Sequence, residues 1–404
     1  MEYERAVRRN RKFQDEFRGC LVGGAIGDAL GYPLEGMRAK DIFRKYGEAG
    51  VQEYILSENG TALISANTQM TLFTATGLLL GKTRGMMRGI GGPHWDYVAF
   101  SYRTWHRMQM GWERNDFEYS WLADVPELGA SRAPGKTCMS VIADEDFGTL
   151  ERPVNSSKGC GALTRVAPVG LYFNRLPFSR DGSRYVNWVN VVWEFAASTA
   201  ALTHGHELGW MSAAVLAHII NVLCFTEIDL WGAIGEAQEL LQKYYGDRKY
   251  VDKLDACIGS AVHLVTNDKP DLENIRELGE GWVAEETLAI AIYCSLKYRE
   301  DFSRAICAAV NHDGDSDATG AVTGSILGTL YGYDGIPGRW KDKLECRDVI
   351  LEVADDLCHD CQIEEYGPDD EVWETKYMSN RRYPQKRQLA AGSQEELKDQ
   401  DVSD

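Results

Sequence analysis

Leu208-Gly-Trp-Met-Ser-Ala-Ala-Val-Leu-Ala-His-Ile-Ile-Asn-Val-Leu-Cys-Phe-Thr226 runs for nineteen residues without a formal charge, between Glu207 and Glu227. It is long enough to cross a bilayer. Its flanks are acidic, however, and Ser212, His218 and Asn221 interrupt the apolar run, so the positive-inside pattern of a membrane span is missing. A helix apolar on every side is also what the centre of a large all-helical protein uses. The stretch reads as a core helix, and Ala318 to Tyr333, too short to span, reads the same way.

Outward from that core, helical periodicity dominates. It predicts helices over about 13–31, 68–82, 95–109, 191–203, 210–224, 228–245, 249–265, 284–298, 302–311, 318–331 and 346–358. Asp229 ahead of Trp231 to Leu241 and Gly246 behind the segment are capping signals. Val51 to Leu56 is the best strand signal, and it is short. No solenoid-type repeat is present. The expectation is an all-α fold, a single compact multi-helix domain over residues 1–384, followed by a polar, aromatic-free tail over 385–404 that is expected to be disordered. The connecting region from about 111 to 190 is rich in Gly, Pro, Ser and Asn, with Cys160, Val166 and Tyr172 as apolar anchors, and reads as an ordered functional loop.

The chain has 404 residues, 61 acidic against 43 basic, and a net charge of −18. That balance argues against nucleic acid or an anionic membrane surface as partner, since both need clustered positive charge. It leaves room for a small phosphorylated ligand. Ten cysteines are scattered, mostly in apolar stretches, and the lone Cys358-His-Asp-Cys361 pair lacks further zinc ligands at compatible spacing. With the charged opening Met1 to Arg18, this reads as a cytoplasmic protein with reduced thiols.

The densest chemistry is Asn311-His-Asp313-Gly-Asp315-Ser-Asp317-Ala318-Thr-Gly320. Three carboxylates at alternate positions repel one another unless a cation or a donor sits among them. An EF-hand needs Gly at position six and Glu at position twelve. Counted from Asp313 those positions are Ala318 and Gly324, so that reading fails. Asp315-Ser-Asp317-Ala-Thr319 spells a haloacid-dehalogenase-type D-x-D-x-T, but that fold needs many strands. A helix cap at Asp317 is the bland alternative. The chemical one is a hard-cation site completed by residues elsewhere. The glycines at 320, 324 and 328 would let its helix approach a neighbour closely.

Six blocks in order resemble the ADP-ribosylglycohydrolase family: Phe17-Arg-Gly-Cys-Leu-Val-Gly-Gly-Ala-Ile-Gly-Asp-Ala-Leu-Gly-Tyr-Pro-Leu-Glu35, Ile64-Ser-Ala-Asn-Thr-Gln-Met-Thr-Leu72, Ser157-Lys-Gly-Cys-Gly-Ala-Leu-Thr-Arg-Val-Ala-Pro168, Leu202-Thr-His-Gly-His206, Gly281-Trp-Val-Ala-Glu285 and the acidic cluster. The resemblance implies an all-α fold with a central cleft, two Mg²⁺ ions, and cleavage of an ADP-ribosyl bond at ribose C1″. It implies Asp315 and Asp317 as metal ligands, Asp315 also taking part in catalysis. Ser65 and Asn67 would assist them, and Glu35 would position or activate water or the ribose hydroxyls. Gly159, Cys160 and Gly161 would approach the diphosphate, and His204 would touch the ligand. Arg165 would pair with phosphate or brace the loop, and Trp282 would flank the adenine or serve the core.

Against this resemblance, Ala66 and Asn67 stand where the family usually carries two aspartates, and Ala318 where it carries Ser or Thr. The remaining donors suit one Mg²⁺ or none, so hydrolysis is expected to be reduced or lost in this sequence. The alternatives are an ADP-ribose- or nucleotide-binding homologue without catalysis, and a bulk structural role. An ADP-ribosylated acceptor is the expected partner, and Glu127, Arg132 and Lys136 are candidates for acceptor recognition.

Overall fold

The structure, a computed structural model, describes residues 13–89, 94–112, 120–173, 188–363 and 370–378. The expected tail over 385–404 and parts of the 111–190 region lie outside the described residues. Seventeen α-helices are present among the described residues, with only two isolated β-bridges, Ala62–Leu344 and Gly159–Val283. The fold is all-α, as expected.

Five helices frame the cleft: α1 (Gln14–Gly31), α2 (Ala66–Arg88), α3 (Glu207–Phe225), α4 (Ala284–Lys297) and α5 (Ser316–Gly335). Helix α3 is the charge-free stretch, and every residue from Leu208 to Cys224 is buried. It starts earlier than periodicity suggested because His206 caps it, accepting the Leu208 N–H on Nδ1 at 3.1 Å. Asp229 caps the next helix through the Gly232 N–H at 2.8 Å, as its sequence position predicts.

Helices α1 and α5 form the axis of the protein, and glycine makes their contact possible. A Cβ added to Gly324 would stand 2.0 Å from the Gly23 carbonyl oxygen, and one added to Gly27 would stand 1.9 Å from that of Gly320. Such distances exclude any side chain, so the two backbones pack directly. Gly31 in turn lies against Ser316, which brings the C-terminal end of α1 to the N-terminal end of α5. The acidic ends of both helices therefore meet.

The strand expected over Val51 to Leu56 does not form. The Asn311 side chain takes the place of a partner strand: its Oδ1 accepts the Val51 N–H at 2.7 Å, and its Nδ2 donates to the Val51 carbonyl at 2.9 Å. The 111–190 region is more helical than expected, with helices at Lys136–Asp144 and Ala167–Tyr172. The cysteines of the described residues are all free thiols, Cys358 and Cys361 both buried.

Candidate active site

The acidic cluster divides its labour. Gly314 takes φ of 113° and packs on the Glu280 carbonyl, a turn that only glycine makes easily. Asp313 faces away from the cleft, accepting the Ala39 N–H at 2.9 Å and pairing with Arg276 at 3.0 Å. Burial would raise its pKa, but these two donors outweigh it and leave it below the ordinary value. Asp315 is the N-cap of α5 and faces the cleft. Its Oδ2 accepts the Cys160 thiol at 2.8 Å. Asp317 also faces the cleft, and its Oδ1 accepts the Ala318 N–H at 2.9 Å. Burial, then the neighbouring carboxyl, lifts Asp317 well above the carboxylate range, and burial lifts Asp315 too. Each carboxyl of the pair opposes the ionisation of the other.

A fourth acid, Asp28 of α1, completes the group, and the sequence reading did not single it out. It is fully buried and sits behind the start of α2. Its carboxyl accepts the Ser65 N–H at 2.9 Å, the Ser65 hydroxyl at 2.5 Å and the Thr68 N–H at 3.2 Å. Burial and then Asp317 push its pKa up to about 7. One signal was available: Asp28 is the only formal charge between Arg18 and Glu35. Glu35 follows the Tyr32–Leu34 turn and is fixed at the cleft mouth because the Gly36 N–H donates to Gly314 O at 2.9 Å. Burial of its carboxyl, then Asp317 and Asp28, push Glu35 up to about 7 as well.

The glycine loop, in contact with Asp315 through Cys160, also lines the cleft. Cys160 N–H donates to Trp282 O at 3.2 Å, and Ala284 N–H donates to Lys158 O at 2.9 Å, so the loop is stitched to the entry of α4. The buried Glu285 carboxylate holds Lys158 and, at 3.0 Å, Lys253. Gly159, Gly161, His204 and the half-exposed Trp282 line the cleft with Asp315 and Asp317. Lys136 lines it too. The cleft has a cavity volume of about 210 Å³ and opens to solvent.

Several expected residues lie elsewhere. Arg165 does not line the cleft: it is wholly buried behind the loop, donating to Thr203 Oγ1 at 2.7 Å and Thr199 O at 3.2 Å, with its guanidinium over Tyr102. Ser65 is buried as the N-cap of α2, where its oxygen accepts the Asn67 N–H at 3.1 Å while its hydroxyl serves Asp28. Ala66 and Asn67 do face the cleft, the Asn67 Oδ1 accepting the Thr164 hydroxyl at 2.9 Å. Ala318 is buried and off the lining. Arg132 is locked to Glu345 and to Ile64 O, and Glu127 is absent from the cleft lining, so of the three acceptor candidates only Lys136 reaches the cleft.

For a cation, the donors fit in kind and fall short in number. Asp315 and Asp317 present hard oxygens to the cleft. The oxygens of Ser65 and Asn67 are already engaged within the protein. No three His, Cys, Asp or Glu side chains among the described residues converge as a ready metal centre.

Residues 9–366 match the family described as ADP-ribosylglycohydrolase. The ADP-ribosyl-[dinitrogen reductase] glycohydrolase of Rhodospirillum rubrum is 40% identical over 352 residues, covering 84% of this chain and 97% of its own. ADP-ribosylhydrolase ARH3 of Danio rerio is 25% identical over 372 residues, covering 84% and 88%. An uncharacterized protein of Archaeoglobus fulgidus is 26% identical over 352 residues, covering 85% and 96%. The chain belongs to the ADP-ribosylglycohydrolase family, which is metal-dependent and removes ADP-ribose from modified acceptors.

Proposed function

We propose that this protein binds the ADP-ribosyl group of a modified acceptor and hydrolyses its bond at ribose C1″, slowly in the sequence as it stands. The observation that carries the reading is the single cleft in which these residues meet. Asp315, Asp317 and Glu35 line it together with Gly159, Gly161, His204 and Trp282. The diphosphate belongs against the glycine loop, where no side chain blocks close approach and Lys136 adds positive charge. The adenine belongs against Trp282, whose exposed ring offers a stacking face. That arrangement puts the reacting ribose over the carboxylates.

Asp315 and Asp317 would hold a divalent cation, Mg²⁺ by family precedent, which would align the ribose hydroxyls and water and offset the local negative charge. Glu35, at the cleft mouth beside these carboxyls, would serve as the general base. It takes a proton from water as the oxygen adds to C1″, the C1″–acceptor bond breaks with its electron pair going to the acceptor, and that proton then passes from Glu35 to the acceptor. Cys160 keeps Asp315 turned into the cleft.

Ala66, Asn67 and Ala318 reduce the donor set, and the same cleft without turnover is an ADP-ribose-binding site. The triple change Ala66→Asp, Asn67→Asp and Ala318→Ser separates the two. Hydrolysis is supported if the changed protein frees ADP-ribose at least ~100-fold faster than the parent with Mg²⁺ present. No release from arginine-, serine- or nucleobase-linked substrates would leave the binding reading in its place.

A further inference from the structure

Arg165 and His204 never touch, yet one hydroxyl joins them. Thr203 Oγ1 accepts from Arg165 Nη2 at 2.7 Å and lies 2.8 Å from His204 Nδ1. A guanidinium only donates, so the single hydroxyl proton is free to point at Nδ1. Nδ1 then accepts, and the ring proton of a neutral imidazole must sit on Nε2. The ring is neutral: burial first, and the Arg165 charge second, pull its pKa down to about 3.

His204 lines the cleft with Nε2 turned to the glycine loop. A Cβ on Gly159 would crowd that nitrogen at 3.2 Å, while one on Gly161 would only touch it at 3.9 Å. His204 is 2% exposed, and no group among the described residues partners Nε2. Arg165 pairs with no carboxylate among the described residues. Its buried charge stands behind the loop and favours an anionic oxygen in front of it.

We propose that Arg165 is a positioning residue that acts through Thr203, holding His204 as its Nε2–H tautomer so that the ring donates to an anionic oxygen of the bound diphosphate. His204 is thereby a donor, neither a base nor a cation ligand. The inference rests on the reading above that the diphosphate lies at Gly159–Gly161.

The test is long-range ¹⁵N–¹H NMR of the full chain, histidine-labelled, at pH 7 without ligand. The parent His204 is expected to show the Nε2–H pattern, Thr203→Ser to keep it, and Thr203→Val to lose it. An Nδ1–H pattern or an imidazolium in the parent overturns the relay without reference to any mutant's folding. Calorimetry with ADP-ribose and adenosine completes the test. Thr203→Val should weaken ADP-ribose about 10-fold and adenosine less than about 2-fold, with Thr203→Ser near the parent. Equal losses for both ligands overturn the diphosphate contact. The expected tautomer in a parent that takes no ADP-ribose overturns the ligand reading while the Arg165–Thr203–His204 relay stands.

Discussion

Asp28 accepts both the backbone N–H of Ser65, at 2.9 Å, and its hydroxyl, at 2.5 Å. This pair joins the end of α1 to the start of α2 and fixes where Ala66 and Asn67 face the cleft. Replacing Asp28 with Ala strands the buried donors of Ser65 and Thr68. The expected loss is about 2–4 kcal/mol of stability by urea denaturation. A loss below about 0.5 kcal/mol would show that the α1–α2 junction does not depend on it.

The same carboxyl makes stability depend on pH with a definite sign. The unfolded chain releases the Asp28 proton near pH ~4, while the folded protein holds it to about 7. Between those values the folded form binds more protons, so stability falls as pH rises through the window and levels off above it. In chelator, the urea midpoint of the parent should drop from pH 5 to pH 7.5 by more than that of Asp28→Asn. Identical slopes would contradict the burial of Asp28 as an acid.

Helix contact at the axis predicts a severe effect from a single methyl. Gly324→Ala places Cβ 2.0 Å from the Gly23 carbonyl, a backbone atom that cannot swing aside. A cost of about 3 kcal/mol or more is expected, with a matching fall in Tm. Gly235→Ala, whose Cβ would meet nothing within 4 Å, should be neutral or slightly stabilising. Equal Tm values for the two variants would refute direct backbone packing of α1 on α5.

Trp282 is 42% exposed at the cleft, held by Nε1 donating to Glu280 at 3.2 Å. A core aromatic would not stand so open. Trp282→Ala should weaken ADP-ribose about 10-fold and leave ribose 5-phosphate unaffected, with little change in Tm. Equal losses for both ligands would remove the ring from the adenine.

The sequence showed the fold wherever apolar periodicity was long. The α3 stretch and the glycines of α5 were legible because a helix advertises its environment every three or four residues. Helix starts were less so: α2 begins at Ala66, ahead of the expected 68, because the Ser65 cap is a matter of one oxygen. Asp28 and the Arg165 relay were not legible, since each depends on a neighbour from a distant segment. The failed strand at Val51 has the same cause, an Asn311 amide that pattern reading has no means to place there. Asp315, Asp317, Glu35, His204, Trp282 and the 159–161 loop do meet in one cleft. The meeting of Glu35 with Asp315 and Asp317 follows from the direct packing of α1 on α5, and that of the loop with Trp282 from its hydrogen bonds to the entry of α4.

Titration calorimetry of the unmodified chain against ADP-ribose decides whether this cleft takes the ligand. Saturable heat for one site per chain is expected, with Kd below ~1 mM and weaker by at least ~10-fold in His204→Ala. No heat at millimolar ADP-ribose, with or without Mg²⁺, would contradict it.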